Sequence, residues 1–196
     1  MTTFYEDNAE AFISDTRHVD MSDMQRRFLA ALPIVEGTSA RILDAGSGAG
    51  RDARAFRRLG YKVEAFDASA SMVEATQEYA GVPTQLMRFE DFTWEHDFEG
   101  IWACASLLHV EEANLPWVIE RLAAHLTSGG AMYLSFKEGS RERIKDGRRF
   151  TDLTVEGLFT LLGRCAGLNE PTVWQSEDGR QNRKSEVWVN ALVNKI

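Results

Sequence analysis

Ile42-Leu43-Asp44-Ala45-Gly46-Ser47-Gly48-Ala49-Gly50-Arg51-Asp52 is the stretch that decides the fold. A short apolar run closes on a glycine turn, and Ala49–Leu59 then reads as a helix stopped by Gly60. A strand, a glycine turn and a helix in that order bring the backbone close to a ligand and aim helix N–H groups at it. The spacing sorts the ligand classes. No Gly-Lys-Ser/Thr triplet follows Gly50, so this is not a phosphate-cradling loop of that kind. A dinucleotide turn needs a third glycine at position 51, where Arg51 stands. What remains is Asp-x-Gly-x-Gly-x-Gly, with Asp44 two residues before the first glycine. A carboxylate at a strand end repels a pyrophosphate and suits a zwitterionic ligand carrying positive charge.

Outward from this turn, apolar runs alternate with amphipathic helices. Strands are predicted at 41–46, 62–67, 84–88, 100–105 and 131–136, and helices at 71–80 and 115–126. This βα rhythm means a doubly wound, mostly parallel sheet. After a helix at 154–164, the runs 172–176 and 186–193 are joined by a segment containing Asp178-Gly179, too short for a helical crossover. The sheet is therefore expected to end in an antiparallel hairpin. Upstream, residues 5–32 read as helical, with Phe12, Ile13, Met21, Met24, Phe28, Leu29 and Leu32 near a 3.6-residue period and Pro33 ending the run. With no repeat or linker-like tract, residues 1–196 read as a single domain, with a helical lid at 1–35 and an α/β core at 40–196.

The composition, 44% hydrophobic and 27% charged, is that of a chain able to bury a core. The net charge of −8 disfavours generic polyanion binding. Two cysteines, Cys104 and Cys165, are too few for a disulfide framework, and they fit a reducing compartment. The N-terminus MTTFYEDNAEAF lacks the basic-then-apolar pattern of a secretory signal, and no apolar run approaches the ~20 residues of a membrane span. A cytoplasmic protein without membrane association is expected.

A second carboxylate narrows the ligand. Asp67 ends the strand 62–67, where its two oxygens can take both hydroxyls of a ribose. Nicotinamide enzymes use the same device, so Asp67 indicates a nucleoside without choosing among them. The glycine spacing and the terminal hairpin favour S-adenosylmethionine over a nicotinamide cofactor. The segments ILDAGSGAGRD, YKVEAFDAS, IWACASLLHV and LTSGGAMYLSF, in this order and spacing, resemble the class I S-adenosylmethionine-dependent methyltransferases, in particular small bacterial tellurite-resistance and ubiquinone-biosynthesis types. The resemblance spans nearly the whole chain. It implies a Rossmann-like methyltransferase fold with seven strands, the last inserted antiparallel.

It also implies a set of cofactor contacts. Gly46, Gly48 and the Ser47 backbone would lie against the methionine part, with Asp44 acting through that turn and the ammonium end. Asp67 would hold the ribose, Met72 would pack on the adenine, and Phe89 would offer it a backbone N–H. The Ala105–Ser106 backbone would meet the methionine amino group, and Tyr5, Arg51 and Ala68 complete the set. Arg88 departs from the pattern, because an aspartate commonly reads the adenine amino group there; either Glu90 or Asp91 substitutes, or the contact is lost. Ser128 replaces a usual proline before Gly129-Gly130, which affects only that turn.

His109, in SLLHVE after the fourth strand, is the catalytic candidate, as general base or substrate-orienting group. The alternative is a histidine satisfied by a backbone carbonyl. His18, His96 and His125 read as surface or helix residues, Cys104 as a buried mid-strand thiol, and no grouping has metal-ligand spacing. Asp52 either complements a helix start or touches the cofactor. Tyr5, Phe12 and Arg17 sit on the expected lid, whose alternative is a helix that only seals the sheet. The segment 141–149 holds five basic and two acidic residues and reads as a loop. With Arg180, Arg183 and Lys184 it either forms an anion-receiving rim or is simply solvated. The expected partner is a small-molecule acceptor, with RNA kept open through 141–149, and oligomeric state has no signature in the sequence. A transfer RNA methyltransferase, a cofactor-binding module without turnover and a nicotinamide oxidoreductase are the competing readings.

Overall fold

The structure is a computed structural model that describes residues 2–34, 39–180, 183 and 186–196. Seven strands form one sheet: β1 (Arg41–Ala45), β2 (Lys62–Asp67), β3 (Thr84–Leu86), β4 (Phe98–Ala103), β5 (Leu126–Lys137), β8 (Thr172–Glu177) and β9 (Val187–Asn194), in the order β3-β2-β1-β4-β5-β9-β8. The first five pair in parallel, and β9 lies antiparallel between β5 and β8. The doubly wound sheet with its terminal hairpin is thus present as the sequence predicts.

The alternation along each strand explains the layers. Ile42, Val63, Trp102 and Tyr133 face one side, where they meet Phe28 of α3 (Ser22–Ala30) and Phe56 of α4 (Arg51–Arg58). Leu43, Ile101, Met132 and Leu134 face the other, against α6 (Leu115–Ala124) and α7 (Val155–Gly163). Burying both faces leaves no room for polar alternation in the central strands, hence their continuous apolar runs. Trp102 and Tyr133 are register partners across β4 and β5, stacked with ring centroids 4.0 Å apart. Phe28 and Phe56 pack onto Trp102 with centroids at 5.3 Å. Each such fully buried ring contributes about 1.5–3 kcal/mol of transfer free energy.

Two sequence expectations change. The helical run at 5–32 is three helices, α1 (Thr2–Asp7), α2 (Ala9–Thr16) and α3, because the chain turns at Asn8 and again over 17–21, where the Asp20 carboxylate accepts the Ser22 N–H at 2.9 Å. The segment 141–149 is a hairpin, β6 (Glu142–Lys145) paired with β7 (Arg148–Thr151), rather than a loop. Asp146 and Gly147 take φ of 52° and 69°, the positive-φ pair that a two-residue hairpin turn requires. Asp-Gly is the same signal that marks 178–179, so the sequence carried it.

Candidate active site

The chain winds outward from β1 through β2 to β3, then returns to place β4 on the other side of β1. This reversal opens a crevice at the carboxyl ends of the strands, where ligands bind in open α/β sheets. The cavity there measures about 330 Å³, at the lower end of the range for ligand sites.

Its floor is the glycine turn. Gly46, Gly48 and Gly50 all have positive φ, at 78°, 53° and 73°. A Cβ on Gly46 would stand 2.4 Å from the Ser106 Cβ, so turn and β4 loop can approach this closely only with glycine there. Ser106 fixes the approach by donating its hydroxyl to the Ala45 carbonyl at 2.7 Å. Ala105 has a φ of 53°, a conformation costing a non-glycine residue about 1–3 kcal/mol; its N–H is held by the Ser135 hydroxyl at 2.8 Å.

Asp67 faces this turn from the end of β2. Its Oδ2 accepts the Gly48 N–H at 2.9 Å and its Oδ1 the Ser69 N–H at 3.0 Å, and burial pushes its pKa up. Ser69 caps α5 (Ala70–Ala80), which carries Met72 into the cavity wall. From the N-terminal helices come Tyr5 and Phe12, and from the segment after β3 come Arg88, Phe89 and Glu90. Of the two carboxylates considered beside Arg88, Glu90 lines the cavity and Asp91 does not.

Eleven of the fourteen site residues named from sequence line this cavity: Tyr5, Gly46, Gly48, Asp67, Ala68, Met72, Phe89, Glu90, Ala105, Ser106 and His109. Asp44, Ser47 and Arg51 do not, and each supports the floor from behind. The Asp44 carboxylate accepts the Ala53 N–H at 3.0 Å, inside α4, and its pKa is raised by burial and by the charge of Asp52. Ser47 bonds Thr76 at 2.9 Å, and Thr76 donates to the Gly48 carbonyl at 3.0 Å. Arg51 turns to Asp52, which also accepts from Gln25 at 2.7 Å and the Trp102 indole at 3.0 Å. Burial opposes the Asp52 charge, but these donors hold its carboxyl below the usual range. Asp52 is therefore a buried structural hub, neither a simple helix-dipole complement nor a cavity residue.

The sequence reading missed Phe66, Ser69, Met87 and Val110. Phe66 precedes Asp67 on β2, and Ser69 stands at a helix start, so both had local signals. It also missed Glu6, which accepts from the Ser69 hydroxyl at 2.8 Å and from Ser71, tying α1 to α5. No sequence signal announces a contact spanning 63 residues.

At the opposite end of the cavity His109 is held from both sides. The Arg149 carbonyl lies 2.7 Å from Nδ1 and the Tyr5 hydroxyl 2.7 Å from Nε2. A carbonyl can only accept, so Nδ1 carries the proton and Tyr5 donates to the Nε2 lone pair. Burial, together with the charges of Arg148 and Lys137, pushes the His109 pKa down to about 4. His109 is thus satisfied by a carbonyl, as the alternative reading had it, and it also lines the cavity. Tyr5 of α1 and Phe12 of α2 line the cavity, while Phe28 of α3 packs on the sheet. Arg17 stacks on Tyr79 of α5, 4.0 Å from its centroid.

Elsewhere, His125 accepts the Trp94 N–H at 3.3 Å and faces the Arg121 carbonyl at 3.1 Å, while His96 meets Glu64 at 2.9 Å. Cys104 lies one residue beyond β4 rather than within a strand, and burial pushes its thiol up to about 12. No helix among the described residues is long and apolar enough to cross a membrane. Of the two readings of these basic residues, anion-receiving rim or solvated segment, the first loses most of its cations to pairing: Arg143 pairs with Asp152, Arg149 with Glu142 at 2.9 Å, Arg180 with Asp178, and Arg183 with Glu186 at 3.7 Å. Lys184 lies outside the described residues.

Residues 42–130 match the family model of a methyltransferase domain. No curated protein sequence matches the chain. Among solved structures, 1,6-didemethyltoxoflavin-N1-methyltransferase from Burkholderia thailandensis, with bound 1,6-didemethyltoxoflavin and S-adenosylhomocysteine, superposes with a TM-score of 0.76 at 22% identity, over 98% of this chain and 84% of that one. Magnesium protoporphyrin IX methyltransferase from Synechocystis PCC 6803, with bound S-adenosylhomocysteine, gives 0.73 at 13% identity, over 100% and 96%. A glycopeptide N-methyltransferase complexed with S-adenosylmethionine gives 0.65 at 20% identity, over 89% and 94%. Residues 42–130 are thus similar to a methyltransferase domain, and the chain has the fold of the class I S-adenosylmethionine-dependent methyltransferases.

Proposed function

We propose that the protein transfers a methyl group from S-adenosylmethionine to a small-molecule acceptor in the cytoplasm. The observation that carries this reading is the placement of Asp67 against the Gly46–Gly48 turn in one cavity with Met72 and Phe89. The lining fits the adenosyl group. Each Asp67 oxygen takes one backbone N–H and keeps a lone pair for a ribose hydroxyl. Met72, Phe66 and Phe89 offer apolar surface for a base, and Glu90 offers an acceptor for its amino group. The aromatic faces of Tyr5 and Phe12 suit a sulfonium.

When bound, the cofactor supplies an electrophilic methyl group: the nucleophile forms a bond to carbon as the carbon–sulfur bond breaks, and the electron pair stays on sulfur. The chain contributes alignment and exclusion of water. Helices α1 and α2 close the cavity through Tyr5 and Phe12, with Glu6 latched to Ser69 and Ser71. His109 orients whatever meets its Nε2 once Tyr5 turns away. With a pKa of about 4 it is a weak base, suited to an acceptor that has already lost its proton.

Calorimetric titration with S-adenosylmethionine and S-adenosylhomocysteine tests the reading, with micromolar-class affinity expected for both. Absence of heat from either, on folded protein, would reject it. Arg143 and Arg149, paired with Asp152 and Glu142, give no separate support to an RNA acceptor.

A further inference from the structure

We propose that the acceptor is a small aromatic acid whose anionic group is received by Arg148 beneath α1, beside Tyr5 and His109. This deepens the methyl-transfer reading and rests on it for the cofactor.

Arg148 is set apart from its neighbours on the hairpin. Arg143 and Arg149 hold the carboxylates of Asp152 and Glu142, whereas among the described residues Arg148 pairs only with Asp146, at 3.6 Å, and that side chain is 57% exposed. The Arg148 side chain is 15% exposed, and its Nε is buried with no hydrogen-bond partner among the described residues. Its guanidinium lies instead against rings: 3.6 Å from the centroid of Phe4, 5.2 Å from Phe150 and 5.6 Å from Tyr5. A mostly buried guanidinium with an orphaned donor is costly unless an anion completes it. Burial raises the Tyr5 pKa and Arg148 works against that rise, so the cation is felt at the cavity wall.

Charge is distributed accordingly. The carboxylates that line the cavity, Asp67 and Glu90, belong to the ends of β2 and β3, on the adenosyl side. The opposite end is walled by Tyr5, His109 and Val110, with Arg148 and Lys137 behind. The nearby acids are engaged: Glu142 and Glu111 face Arg149, and Glu186 faces Lys137. Arg148 is thus the cation at that end, with the Asp67 charge reaching Tyr5 from across the cavity, between aromatic walls that fit a planar ring. An acceptor would reach Arg148 as Phe4 and Tyr5 give way.

The test titrates a panel of small aromatic carboxylic acids and their matched primary amides into wild type, Arg148→Gln and Arg148→Lys, followed by ligand-observed NMR. Each titration runs with and without saturating S-adenosylhomocysteine. An acid bound about tenfold or more tighter than its amide is expected in wild type, since the acid makes charge-assisted bonds that the amide cannot. That preference should collapse in Arg148→Gln and survive in part in Arg148→Lys, which keeps the charge and loses the stacking. Equal binding of acids and amides, no acid bound across the panel, or a preference that persists in Arg148→Gln overturns the proposal. Failure of S-adenosylhomocysteine itself to bind overturns the cofactor reading instead, and the cofactor-free titrations still decide the role of Arg148.

Discussion

Replacing Asp67 with asparagine separates ligand binding from folding at one position. The carboxylate has about four acceptor sites, and two are taken by the Gly48 and Ser69 N–H groups, at 2.9 and 3.0 Å. The rest face the cavity, where the account places the two ribose hydroxyls. Asparagine keeps one acceptor oxygen, turns the other into a donor and removes the charge. Hydrogen bonds to a charged group contribute about 1.5–3 kcal/mol, and the surviving neutral bond recovers part of that, so the expected loss is about 2–3 kcal/mol, or roughly 30–150-fold in Kd. Stability should move much less. Burial raises the Asp67 pKa, so the ionised side chain costs the free protein stability at neutral pH, and asparagine relieves this while leaving one backbone N–H poorly paired. Titration of S-adenosylhomocysteine by calorimetry, beside thermal unfolding of the free variant, reads both effects. A folded variant whose Kd stays within about threefold of wild type removes Asp67 from the ribose site and refutes the reasoning.

Because the free-state pKa of Asp67 is raised, nucleoside affinity should fall as pH drops through it and level off above it; an affinity that is flat or rises on acidification contradicts this. His109 has its folded pKa below its unfolded value, at about 4 against about 6.5. The unfolded chain therefore binds more protons between those values, and stability present above 6.5 is lost on acidification, by about 3 kcal/mol. Denaturant unfolding from pH 7 to 4 should show that loss in wild type and not in His109→Gln. Gly46→Ala should cost about 2–5 kcal/mol, combining a left-handed φ with a Cβ at 2.4 Å from Ser106, whereas Gly48→Ala meets only the Phe12 ring at 3.3 Å and should cost less; urea midpoints rank them. Cys104 and Cys165, raised to about 12 and about 11 by burial, should resist alkylation at pH 8 in the folded protein, and rapid modification there would contradict that burial.

The parts legible in the sequence are those written in local pattern. Strand runs such as Lys62–Asp67, the glycine spacing at 46–50 and the alternation of Val187, Val189 and Ala191 depend on neighbours within a few residues, and the structure follows them. Asp67 and Gly48 could be placed together because a βα unit fixes where strand ends lie. Local pattern failed where a side chain chooses between distant partners. Asp44 and Arg51 sit in the motif yet turn inward, since Ala53 N–H and Asp52 offer buried groups that must be satisfied. The Asp52–Trp102 bond, the Glu6 latch and the Tyr5–His109 contact join residues 50 to 104 apart in the chain. The hairpin at 142–151 was legible through Asp146-Gly147, but its high charge resembles a solvated loop until the pairs with Asp152 and Glu142 are seen.

A crystal structure after soaking with S-adenosylhomocysteine decides whether the crevice is a cofactor site. Density is expected in the crevice between β1 and β4, with both ribose hydroxyls on Asp67, the base between Met72 and Phe89, and the sulfur directed toward Tyr5 and His109. An empty crevice at saturating ligand, or a nucleoside seated away from Asp67, would contradict it.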